Sequence, residues 1–68
     1  MNDRLRWLMD AIITHLDDRG VKTTFCRPQQ LRILRLDRQY LGRTVRSVLS
    51  MMQERQLASI LNRLESCR

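Results

Sequence analysis

Asp37-Arg38-Gln39-Tyr40-Leu41-Gly42-Arg43-Thr44-Val45-Arg46-Ser47-Val48-Leu49-Ser50-Met51-Met52-Gln53-Glu54-Arg55 is the stretch whose periodicity decides the fold. Leu41, Val45, Val48, Leu49 and Met52 recur at three- and four-residue steps, the signature of an apolar helical stripe. Gln39, Arg43, Arg46, Ser50 and Gln53 fall on the other side, so the spacing predicts a third helix with one face to bury and one basic, hydrogen-bonding face. Asp37 is placed to cap its first turn. Gly42 is the weak point, costing about 1 kcal/mol relative to alanine inside a helix.

Immediately upstream, Pro28 suits the first position of a helix and disfavours helical geometry at Arg27. This predicts a second helix from Pro28 to about Leu36. Leu31 and Leu34 would be buried with help from Ile33 or Leu36, and Gln29, Gln30, Arg32 and Arg35 left polar. A strand over Leu31 to Leu36 is the competing reading, because so short a run blurs the two periodicities. Val21 to Cys26 alternates β-branched and aromatic residues with polar ones and reads as a short extended connector, with Phe25 closing the base of the core.

The first helix is expected from Asn2 or Asp3 to Asp18. Leu5, Leu8, Met9, Ile12, Ile13 and Leu16 form its stripe, Asn2 is a candidate cap, and Gly20 offers a left-handed stop. Trp7 projects away from that stripe beside Ala11 and Thr14. It is either covered by neighbouring loop residues or serves as an interface anchor, the role in which large aromatics are enriched.

Beyond Arg55 the apolar phase changes. Leu57, Ile60, Leu61 and Leu64 occupy a different face from Val45 and Met52, so residues 56–68 are expected to form a fourth helix, a dimerisation helix or a short strand and turn. The absence of glycine and proline from Gln56 to Glu65 favours helix.

Sixty-eight residues permit one small domain, residues 1–68, without a large enclosed active site. The formal charge of +6 is unevenly placed: Arg19 to Arg46 holds eight basic residues and one acid, Asp37, whereas the rest of the chain has five basic residues against six acidic ones. Such a segment attracts phosphate backbones, anionic lipid or acidic protein. No apolar run approaches the roughly 18 to 20 residues that cross a membrane, and Asp3 and Asp10 interrupt any signal-like N-terminus. The expectation is a cytoplasmic chain with Cys26 and Cys67 reduced. There is no glycine-rich phosphate loop, paired-cysteine zinc pattern or histidine cluster, and His15 with Cys26 lacks an orienting partner, so neither an enzyme nor a cofactor or metal protein is expected.

The initial helix, the connector Val21 to Cys26, the helix beginning Pro28-Gln29-Gln30-Leu31 and the segment Arg38-Gln39-Tyr40-Leu41-Gly42-Arg43-Thr44-Val45-Arg46 together resemble a winged helix-turn-helix DNA-binding domain, over most of Asp3 to Arg55. The resemblance implies a mainly α, helix-turn-helix or winged-helix-like domain of three or four helices and a small transcriptional regulator that reads duplex DNA with the outer face of residues 38–50. On that reading Gln39, Arg43 and Arg46 contact base edges, Ser47 and Ser50 the backbone, and Arg27, Gln29, Gln30, Arg32 and Arg35 phosphates. The leucine-rich 57–64 segment departs from the two-stranded wing of that family. The alternative is a protein-interaction module, a homodimeric adaptor or inhibitor, with Trp7, Leu57, Ile60, Leu61 and Leu64 as its interface and an acidic protein as a partner. RNA ranks below DNA because few aromatics offer bases a stacking platform. Membrane attachment ranks lower still.

Overall fold

A computed structural model describes residues 3–66. The Asn2 cap and Cys67 lie outside the described residues. Over residues 3–66 the chain is a small, mainly α domain of four helices in the order α1 (Asp3–Asp18), α2 (Pro28–Leu34), a 3-10 turn (Arg38–Tyr40), α3 (Val45–Ser50) and α4 (Glu54–Ser66).

The core is built from the first and last of these helices. Leu8, Ile12 and Leu16 form a four-residue repeat along α1 and are fully buried. Leu57, Ile60, Leu61 and Leu64 of α4 face them at helical spacing, and α1 and α4 pack along their length. Each such side chain contributes about 1.5–3 kcal/mol when removed from water, and this pairing supplies half of the buried apolar residues. Val45, Val48 and Leu49 of α3 and Leu31 and Leu34 of α2 complete the interior.

α1 ends at Gly20, whose φ of 74° lets the Gly20 and Val21 amides reach back to the carbonyls of Asp17 and Leu16 at 2.9 and 3.0 Å. α2 ends in the same way two residues earlier than its apolar pattern predicts. Here it is Arg35 that takes the left-handed conformation, at φ 57°, while the Arg35 and Leu36 amides bond the carbonyls of Arg32 and Leu31.

The expected third helix, 37–55, is not one helix. Gly42 sits at φ 85°, outside helical geometry, and the chain before it forms only the 3-10 turn. Thr44, not Asp37, is the working cap: its hydroxyl accepts from the Ser47 amide at 3.2 Å. Leu41 is consequently 45% exposed, although it matched the buried stripe.

α3 stops after Ser50 because a straight continuation would carry the apolar face of α4 roughly a third of a turn away from that of α3. The break spans Met51 to Gln53. The Gln53 amide is caught by the Gln56 side chain at 3.0 Å, and Glu54 faces the positive end of α4. Residues 54–66 are thus a fourth helix, and the strand-and-turn alternative for this segment is not realised.

The connector is pinned by an isolated antiparallel bridge between Phe25 and Thr44, flanked by bonds from the Cys26 amide to the Arg43 carbonyl (2.7 Å) and from the Val45 amide to the Thr24 carbonyl (3.0 Å). These bonds turn Cys26 inward and Phe25 outward. Phe25 is 47% exposed rather than closing the core.

Candidate nucleic-acid interface

The site begins at the start of α2. Arg27 is extended (φ −98°, ψ 173°), as the proline that follows requires, and its amide donates to Gln30 Oε1 at 3.1 Å. Gln30 Nε2 donates to the Lys22 carbonyl at 2.7 Å, which ties the connector to α2. Gln30 is only 2% exposed. Its expected role as a phosphate contact is therefore corrected: both ends of its amide are committed to the main chain. Arg27, Gln29, Arg32 and Arg35 are all exposed around it.

Gln39, Arg43 and Arg46, expected on one helix face, lie on three different elements. Gln39 belongs to the 3-10 turn, where its amide reaches Asp37 Oδ2 at 3.4 Å. Arg43 occupies the turn before α3, and its main chain bonds Cys26 and Tyr40. Arg46 is on α3 and pairs with Asp10 of α1 at 3.1 Å, an exposed contact worth under about 1 kcal/mol and easily exchanged for another anion. Ser47 and Ser50 share the α3 surface with Arg46. Together with Arg6 and Met9 they line a shallow hollow of about 290 Å³, and the Ser50 hydroxyl is already used on the Ser47 carbonyl at 2.6 Å.

The expected interface stripe, Leu57, Ile60, Leu61 and Leu64, is likewise corrected: these side chains are consumed by the packing of α4 on α1. Trp7 is the member of that set that remains outward, at 58% exposure. Cys26 is buried, and burial pushes its thiol up from the ordinary value, which holds it in the unreactive protonated form. Among the described residues no group of three or more histidine, cysteine, aspartate or glutamate side chains converges on a metal position, and no helix is long and apolar enough to cross a membrane.

The main feature of the surface is electrostatic. All eight basic residues between Arg19 and Arg46 are exposed; Asp37 is the one acid of that stretch of sequence, and Asp10 of α1 pairs with Arg46. Two arginines outside the expected set also matter. Arg19, just beyond α1, donates to the Leu64 carbonyl, and Arg63 of α4 donates to the Leu34 carbonyl at 3.3 Å. Both bonds join residues far apart in the chain, so spacing gave no signal for either. The chain matches no protein-family model, no curated protein and no solved structure.

Proposed function

We propose that this chain binds duplex DNA, gripping the phosphate backbone with the basic segment 19–46 in the manner of a helix-turn-helix-like domain, and that it acts as a small regulator. The observation that carries the reading is the exposure of all eight cationic side chains of a segment whose own sequence holds one acid. The order of an initial helix, a pinned connector and two short helices is consistent with it. Two features reshape the family pattern. The 35–44 segment between α2 and α3 is longer than a tight turn, and a helix follows α3 where a wing would lie.

α3 offers six residues, about 9 Å of helix, and only Arg46, Ser47 and Ser50 as outward polar groups, which is little for reading bases. Backbone contacts therefore dominate. Eight neutralised phosphates would set a ceiling of about −7 on the slope of log K against log salt.

Fluorescence polarisation on a mixed-sequence duplex across a salt series tests this. R27A/R43A, two exposed positions beside the Phe25–Thr44 bridge, is expected to weaken binding on every sequence and to reduce the slope by about 2. Failure of the wild type to bind at low salt would remove the DNA reading.

A second reading, association with a protein partner or a second copy, is favoured by the exposure of Trp7.

A further inference from the structure

The arginines at the other end of α2 do something that a diffuse basic face does not. Arg19, Arg32, Arg35 and Arg63, brought by α1, α2 and α4, line a single hollow of about 480 Å³ with the Asn62 amide, and no carboxylate lies among the described residues lining it. A counter-charge explanation has to be weighed first, because the C-terminal ends of three helices meet there. Each end is equivalent to about half a negative charge, together about −1.5 against the guanidinium groups of Arg32, Arg35 and Arg63 alone, so the hollow stays positive.

Two of the four cations are held in place from behind. The bonds of Arg19 and Arg63 to the Leu64 and Leu34 carbonyls hold both guanidinium groups at the hollow's edge. Arg32 and Arg35 make no side-chain hydrogen bond or ion pair among the described residues. Arg35 also occupies the left-handed position that α1 gives to Gly20, where a side chain carries a conformational cost glycine would avoid.

We propose that this hollow is a binding site for a phosphate group whose organic body lies against the half-buried Ile33. Guanidinium forks match phosphate oxygens bidentately, and the hollow, open to solvent, has room for more than a bare phosphate. The site is separate from the Arg27 and Arg43 end of the basic segment and does not depend on the duplex reading.

The test is calorimetric titration of the whole chain with inorganic phosphate and with phenyl phosphate, at constant ionic strength set by chloride. Phenyl phosphate is expected to bind more tightly than inorganic phosphate. R32Q/R35Q is expected to weaken it by at least about tenfold, the loss typical of charge-assisted hydrogen bonds, while R27A/R43A leaves it unchanged. R35G, which relieves the left-handed strain and is checked for folding by circular dichroism, is expected to weaken binding as well. No binding above the chloride background, or equal loss in R27A/R43A and R32Q/R35Q, overturns the proposal. Displacement of phenyl phosphate by a duplex would assign the phosphate to nucleic acid, and retention beside bound duplex would assign it to a free phosphate ester; both outcomes uphold the site. Phenyl phosphate binding without duplex binding would sink the DNA reading alone, and the converse would sink this one alone.

Discussion

Gln30 shows how far one side chain can differ from its address in the sequence. A glutamine in the first turn of a helix, between Gln29 and Arg32, reads as a surface group. Nothing local reveals that the connector folds back to place the Lys22 carbonyl 2.7 Å from its amide. Leaving two main-chain groups without this partner costs about 1–3 kcal/mol. Q30L is therefore expected to lower stability by that amount in a urea titration, with DNA affinity per folded molecule unchanged; a phosphate-contacting glutamine would show the reverse. Arg46 was more legible, since its exposure follows from helical phase alone, but its pairing with Asp10 depends on α3 resting against α1.

At the level of elements, the ends of helices were harder to read than their faces. The core stripes of α1 and α4 follow from i, i+3 and i+4 spacing, and the change of phase after Arg55 announced a break. The position of that break rests on the side-chain cap at Gln56, and the start of α3 rests on Gly42 and Thr44, signals that one continuous stripe from Leu41 to Met52 concealed. Three left-handed residues make this measurable. A Cβ at Gly42 or Gly20 would meet nothing within 4 Å, so G42A and G20A are expected to cost only the conformational term, about 1–2 kcal/mol each. R35G carries the opposite sign and is expected to gain about 0.5–1 kcal/mol, the relief of the same strain less the added freedom of glycine in the unfolded chain. Guanidinium chloride unfolding with an unchanged m value checks all three. A loss of stability in R35G would mean that the guanidinium, rather than the backbone, holds that helix end.

Across the whole molecule, the overall plan of a small helical domain with a cationic middle was visible in composition and periodicity, because both are properties of the chain itself. Which apolar residues remain outside was not visible, since it depends on how α4 lies on α1. Four leucine and isoleucine side chains expected at an interface were needed for the core, and Trp7 was left exposed. If Trp7 anchors a second copy, sedimentation equilibrium of the wild type will show concentration-dependent dimer and W7A will not. A wild type that stays monomeric at every concentration leaves Trp7 no homodimeric role.

The packing of α1 against α4 also fixes the order of events when the chain is made. Leu8 and Leu64 are separated by most of the polypeptide, and at about 5–20 residues per second the ribosome takes roughly 3–10 s to travel between them. During that interval α1 has no mate to bury its leucines against, and the core stays open. A chain cut short before α4 is therefore left with the apolar face of α1 in water.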